Sequence, residues 1–270
     1  MPTPAPHYAP PPAPIVDRVL LTNDDGIHAP GLKVLEEIAG QIAREVWIVA
    51  PEHDQSGVSH AISLHTPLRA VPYGERRFGV GGTPGDSVVV ALRHLMKDNP
   101  PDLVLSGVNR GGNLGVETVF SGTVGAAMTA LLLGQRAIAM SQTFTDFQAI
   151  RWENARTLGA GVVRQLLAAP WPGQVCLNVN FPDCAPEDTG PMQATRQGAG
   201  RVEHIDVDAR TDPRNIPYVW MRFQRGPRDN PPDSETEIVL NGGVSVTPLA
   251  FERTDQQALA TLKSALNGAD

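Results

Sequence analysis

The sequence predicts an α/β protein built on a mostly parallel sheet covered by helices on both faces. Three observations carry this. Short apolar runs of strand length alternate with helix-periodic segments from residue 15 to residue 180. The runs are near-continuously apolar, as strands buried on both faces are, and several end in a turn rich in Asn, Asp, Gly or Pro. Beyond Phe181-Pro182 the alternation gives way to Pro, Gly and charged residues with short β-like pieces.

The first fourteen residues are dominated by Pro and Ala, which favour an extended polyproline-like tail and build no core. Residues 15–22 form the first predicted strand, cut off by Asn23-Asp24-Asp25-Gly26, and the apolar spacing of residues 32–43 predicts a helix. A second strand over 46–50 stops at Pro51, a polar loop covers 52–59, and residues 61–71 are β-like. Thr83-Pro84-Gly85-Asp86 combines a hydroxyl cap, Pro at the first helical position and a first-turn acid, which predicts a helix to about Lys97. A strand over 103–106, a Gly- and Asn-rich loop over 107–117 and a helix opened by Ser121-Gly122-Thr123 and reaching about Leu133 come next. A strand over 137–140, a helix over 153–168 and a strand over 174–180 complete the alternation. Further on, 218–223 and 244–247 are β-like and 254–266 is helical. The expected organisation is a tail (1–14), an α/β catalytic core (15–182) and a β-rich extension with C-terminal oligomerisation elements (183–270).

Composition narrows the function. With 29 acidic against 22 basic residues the net charge is −7, the wrong sign for a protein that neutralises many phosphates of a long nucleic acid. Cys176 and Cys184 are the only cysteines, and Cys176 lies in an apolar strand-like run, so no disulfide is expected. The start lacks the cationic and apolar regions of a signal peptide, and no segment holds the ~18 uninterrupted apolar residues of a membrane span. A cytoplasmic protein with no membrane partner is expected.

In open α/β sheets, ligands collect beyond the carboxyl ends of the strands. The groups at those ends are Asp24 and Asp25, then Ser56-Gly57, then Ser106 and Asn109, then Ser141. Two adjacent carboxylates raise each other's pKa and call for a cation. Their neighbours are hydroxyls and an amide rather than His or Cys, which favours Mg²⁺ or Mn²⁺ over zinc. Ser121-Gly122-Thr123 offers helix-terminal N–H groups to a phosphate without a lysine, and the Gly-rich stretch from Ser106 through Asn113 to Gly115 permits close backbone approach. Neither a Walker A lysine nor a clean G-x-G-x-x-G follows the first strand, and the histidines lack H-E-x-x-H spacing.

Leu20-Leu21-Thr22-Asn23-Asp24-Asp25-Gly26-Ile27-His28-Ala29-Pro30-Gly31 resembles the amino-terminal signature of the SurE family. Ala50-Pro51 with Gln55-Ser56-Gly57-Val58-Ser59, Gly82-Thr83-Pro84-Gly85-Asp86, Ser106-Gly107-Val108-Asn109 with Asn113-Leu114-Gly115, Ser121-Gly122-Thr123-Val124 and Val244-Ser245-Val246-Thr247-Pro248-Leu249 follow in that family's order. The resemblance implies a Rossmann-like three-layer α/β/α core with a smaller β-rich C-terminal part, and a homodimer or homotetramer joined through C-terminal elements. It implies a metal-dependent phosphomonoesterase acting on nucleoside 5′-monophosphates, with 3′-monophosphates and polyphosphate as further substrates. One Mg²⁺ or Mn²⁺ per subunit would lie on Asp24, Asp25, Ser56 and Asn109. Asp24, Asp25 and Asn109 would serve catalysis, and Asn23, Ser56, Gly57, Asn113, Ser121, Gly122 and Thr123 would surround substrate and phosphate. Phe120 stands where the family more often has Tyr before Ser-Gly-Thr, Gly243 where an aromatic often precedes Val-Ser, and Asp233-Ser234-Glu235 in place of a Gly-Thr-Asp-like segment. These departures bear on substrate preference and oligomer contacts, not on the four ligands. An aspartyl-phosphate route is disfavoured because its acids are two residues apart, whereas Asp24 and Asp25 are adjacent. A nucleotide-binding sensor without catalysis is the alternative from another class.

Overall fold

A computed structural model of the chain describes residues 13–171 and 173–267. The expected Pro-rich tail lies almost wholly outside them. A nine-stranded sheet runs in the order β3-β4-β2-β1-β5-β6-β7-β11-β8, and a separate two-stranded ribbon pairs β9 with β10. Strand β1 (Val16–Thr22) pairs in parallel with β2 (Ala43–Pro51) on one side and β5 (Leu103–Arg110) on the other. Strands β6 (Ala137–Gln142) and β7 (Cys176–Phe181) continue the parallel run.

The apolar strand runs fold this way because both of their faces are covered. Side chains alternate across a strand, so Val19 and Leu21 pack into one apolar layer and Leu20 into the opposite one. Leu103 and Leu105 divide from Val104 in the same way, as do Ile138 and Met140 from Ala137 and Ala139. Helices α1 (Pro30–Ala39) and α4 (Trp152–Ala168) cover the first layer. Helices α2 (Pro84–Val90) and α3 (Gly122–Leu132) cover the second. Each fully buried Leu or Ile contributes about 1.5–3 kcal/mol. The two-sided core is therefore what fixes the rim on which the polar residues sit.

Several expected boundaries differ. Helix α1 stops at Ala39, and the residues up to 43 turn directly into β2. Helix α2 keeps regular geometry only to Val90 and then widens through Ala91–Leu95, where Met96 N–H donates to Ala91 O at 2.8 Å. Of the β-like residues 61–71, only those from Ala70 enter a strand, β3 (Ala70–Gly74), which pairs antiparallel with β4 (Arg77–Val80). The preceding segment gives its hydrogen bonds to the start of α2. Ser63 donates from N and Oγ to the Asp86 carboxylate, each at 2.8 Å, and Ala61 O accepts from Thr83 Oγ1 at 2.6 Å. The expected loop 107–117 is shorter, because β5 runs on to Arg110 through a register shift against β6, and a 3₁₀ turn occupies Gly115–Val119.

Beyond residue 182 the chain returns to the main sheet. Strand β8 is Met192–Ala194, and α5 (Glu235–Leu240) leads into β11 (Val244–Leu249). β11 lies between β7, to which it is antiparallel, and β8. The ribbon is β9 (Val202–Thr211) and β10 (Pro217–Arg225), and α6 (Gln256–Asn267) follows. Among the described residues no helix is long and apolar enough to cross a membrane. Cys176 and Cys184 are both free thiols, and burial pushes the Cys176 thiol up to about 12.

Candidate active site

The strand order reverses direction at β1 and β5, which are joined at Thr22 and Ser106. A parallel sheet opens a crevice at such a point. The chain leaving β1 is folded back by Asn23, whose Nδ2 donates to Gly26 O at 2.9 Å and whose Oδ1 accepts from Gly26 N–H at 3.2 Å. Gly26 has φ +102°, a conformation that glycine alone takes without strain. The turn is tied to the end of β2 by Ile27 N–H to Pro51 O at 2.8 Å, and to the following loop by Gln55 N–H to Asp24 O at 2.7 Å. Asn23 is thus committed to shaping the turn that presents Asp24 and Asp25.

Asp24 is 4% exposed and accepts at Oδ1 from Thr123 Oγ1 at 2.5 Å. Burial pushes its carboxyl from 3.8 up to about 6; the Thr123 hydrogen bond opposes the rise and the Asp25 charge adds to it. Helix α3 starts against it: a Cβ on Gly122 would lie 2.7 Å from Asp24 Cβ and 2.9 Å from Oδ2. Only glycine lets the helix N-terminus come this close. Burial also raises the Asp25 carboxyl, opposed by the Arg110 N–H, which donates to Oδ2 at 3.2 Å, and by the Arg110 charge. The Arg110 guanidinium stands 3.5 Å from Asp25 Oδ1 and 3.2 Å from Asp54 Oδ2, with the Phe147 ring centred 4.8 Å away.

Asp24, Ser56, Gly57, Asn109, Asn113 and Ser121 line one cavity of about 520 Å³. Asp25 lines an adjoining one of about 280 Å³, and Arg110 belongs to both walls. Asn109 donates from Nδ2 to Gly111 O at 2.9 Å, which leaves Oδ1 as its open donor atom for a ligand. Ser121 caps α3, its Oγ accepting from Val124 N–H at 3.0 Å. The first turn carries the positive end of the helix dipole toward Asp24, and the Thr123 backbone N–H helps to lower its carboxyl. Thr123 is fully buried beneath Asp24 and does not reach the cavity surface. Asn113 is anchored from below: its N–H donates to Asn180 Oδ1 at 2.8 Å, its Nδ2 to Ser141 Oγ at 2.8 Å, and its carbonyl accepts from Asn178 Nδ2 at 2.8 Å.

Among the described residues, no group of three or more His, Cys, Asp or Glu side chains forms a metal cluster. The set that could hold a cation is Asp24, Asp25, Ser56 and Asn109, two carboxylates and two neutral oxygens. Donors of that kind suit a hard divalent ion with positions left for water or phosphate.

Among the cavity-wall residues to which the sequence assigned no role are Arg110, Glu117, Arg201, Phe223 and Arg225. Arg110 lies in the Gly-rich stretch between Ser106 and Gly115, but its partner Asp54 is 56 residues away. Phe223 and Arg225 come from β10, which lies outside every motif, between Ser121-Gly122-Thr123-Val124 and Val244-Ser245-Val246-Thr247-Pro248-Leu249.

Fold and site together define a class: an open, doubly wound α/β protein with an acidic, oxygen-only site against a helix N-terminus at its topological switch point. The chain belongs to the survival protein SurE family, whose model matches residues 19–204. It is 59% identical over 253 residues to the 5′-nucleotidase SurE 1 of Burkholderia lata, covering 94% of this chain and 98% of that protein. It is 47% identical to the 5′-nucleotidase SurE of Bradyrhizobium diazoefficiens, over 92% of this chain and 99% of that one. The crystal structure of the SurE protein from Aquifex aeolicus superposes with a TM-score of 0.78 at 34% identity, covering 92% of this chain and 99% of that one.

Proposed function

We propose that this protein is a metal-dependent 5′-nucleotidase that hydrolyses nucleoside 5′-monophosphates to nucleoside and phosphate, with 3′-monophosphates and polyphosphate as further candidates. The observation that carries this is the position of Asp24. A buried carboxylate at the switch point lines a cavity of ligand size and touches the first turn of α3. The names of the relatives support the same activity.

Asp24, Asp25, Ser56 and Asn109 are the groups that would hold one Mg²⁺ or Mn²⁺ per subunit, and such an ion supplies charge that polarises a phosphoryl oxygen. The Ser121 hydroxyl, which lines the cavity, and the positive end of the α3 dipole behind it face the equatorial oxygens, where charge accumulates during phosphoryl transfer. Asp24 Oδ1 is committed to Thr123, so acceptance of the attacking water's proton falls to Oδ2. Arg110 screens the second carboxylate and Asp54 from the substrate phosphate. The proposal includes a homodimer or homotetramer, supported by the exposed Val207, Val219, Trp220 and Met221 on the ribbon.

The test is phosphate release from 5′- and 3′-nucleoside monophosphates and polyphosphate, with Mg²⁺, Mn²⁺ or excess chelator, by wild type and Asp24→Asn. Release that needs the metal and is lost in the variant is expected. Release that persists in chelator or in Asp24→Asn would sink the assignment, and binding of AMP without release would make the protein a nucleotide sensor.

A further inference from the structure

We propose that the base of the β9–β10 ribbon is the nucleoside-recognising wall of the cavity, with Phe223 and Phe120 as the surface on which the nucleobase stacks. This rests on the nucleotidase reading and names the part of the chain that selects the substrate. Most of the ribbon stands in solvent, but Arg201, Phe223 and Arg225 at its base reach the cavity that also contains Asp24. Phe223 and Arg225 are two residues apart on β10, and across the register shift at Gln224/Arg225 the Arg225 guanidinium still lies over the Phe223 ring. The Phe223 ring meets Phe120 with centroids 5.4 Å apart and planes tilted by 44°, so the two rings form a continuous aromatic surface.

That surface is placed where a nucleoside must lie. Phe120 directly precedes Ser121, the cap of the helix whose first turn faces Asp24. A phosphate held at that turn projects its ester oxygen and sugar past Phe120, which remains 40% exposed. The wall is also fixed in position. Glu117 accepts from Arg201 N–H at 2.7 Å and Val202 N–H at 3.1 Å, and its Oε2 accepts from Arg225 Nε at 3.3 Å. The Arg225 guanidinium is thereby held 5.5 Å from the Phe223 ring centre. Glu117 sits on the 3₁₀ turn that leads into Phe120, so one carboxylate sets the ribbon base and the phosphate end in register. Stacking needs only a π-face, which every base offers, so this wall selects for a nucleoside and ranks bases by stacking area.

The experiment compares kcat/KM for AMP with that for glycerol 2-phosphate, which has no base, in the Mg²⁺-loaded wild type, Phe223→Ala and Phe223→Leu. Calorimetric binding of adenosine is measured on the same three proteins. Loss of one stacking partner is expected to lower the AMP-to-glycerol-phosphate ratio about tenfold and to weaken adenosine binding by a similar factor. Phe223→Leu keeps apolar bulk without the π-face and is expected to show most of the same loss, which a packing role would not produce. Ratios and adenosine affinities within twofold of wild type in both variants would overturn the wall. If wild type hydrolyses nothing yet binds adenosine in a Phe223-dependent way, the nucleotidase reading falls and the wall stands. If wild type neither turns over nucleotides nor binds adenosine, both fall.

Discussion

Replacing Asp24 by Asn is expected to stabilise the metal-free protein at neutral pH while abolishing turnover. The carboxyl is held at about 6 against an ordinary 3.8, mainly by burial. At about 1.4 kcal/mol per pKa unit, ionising it inside the fold costs about 3 kcal/mol. Because the folded value is raised, this cost is absent below about pH 4, develops between about pH 4 and 6, and is complete above. Asn carries no charge and escapes it. Its Oδ1 still accepts from Thr123 Oγ1, and the extra strength of that hydrogen bond to the charged form is already contained in the value of about 6. The gain is therefore about 3 kcal/mol, which for a chain of this size raises Tm by on the order of 8 °C. The assay is thermal and urea denaturation of wild type and variant in chelator at several values from pH 4 to 8. Apart from Asp25, whose charge interacts with that of Asp24, the other titrating groups are common to both proteins and cancel in the difference. A variant no more stable than wild type at pH 7.5, or a difference that does not change across pH 4–6, would refute the account of Asp24 as a carboxylate ionised against its burial.

Other expectations follow from the same contacts. Gly122→Ala drives a methyl into Asp24 and should lower kcat by roughly a hundredfold and Tm by about 5 °C, as read by steady-state kinetics and melting curves. Thr123→Val removes the hydrogen bond that lowers the Asp24 carboxyl, so its value rises further and the acid limb of the kcat/KM profile should move to higher pH. Met221→Asp, at a position 78% exposed on the ribbon, should lower the mass seen by light scattering from an oligomer to a monomer and leave the fold intact by circular dichroism.

The parts of the fold legible in the sequence are those whose burial is written locally. β1, β5, β6 and β7 contain continuous apolar runs because both faces are covered, and the Thr83 box and the Ser121 cap announce their helices directly. β9 alternates apolar and charged residues over 205–210 but buries neither face, so its alternation is not that of a core strand and its pairing with β10 comes from the folded chain. Residues 61–69 show the opposite failure: their composition is β-like, but Asp86 and Thr83 capture their hydrogen bonds first. At the site, strand ends and motif order assembled Asp24, Ser56, Asn109 and Ser121 on one cavity. They gave no hint that Arg110 lines both that cavity and the adjoining one that holds Asp25, or that Asn23 and Asn113 are spent holding the backbone. Those roles depend on partners such as Asp54 and Asn180, which only the folded chain brings near.

The insertion of β11 beside β7 sets an order of events during synthesis. β7 is complete at Phe181, but its outer neighbour begins only at Val244, and at about 5–20 residues per second the ribosome needs several seconds to supply it. Throughout that interval the nascent sheet ends in an unpaired apolar strand, the kind of edge that recruits another chain. The same edge carries Asn178 and Asn180, which later anchor the loop at Asn113. The cavity wall is also completed late, by Phe223, Arg225, Val239, Leu240 and Gly242, so a chain released before β11 is made would display an open edge beside an unfinished site.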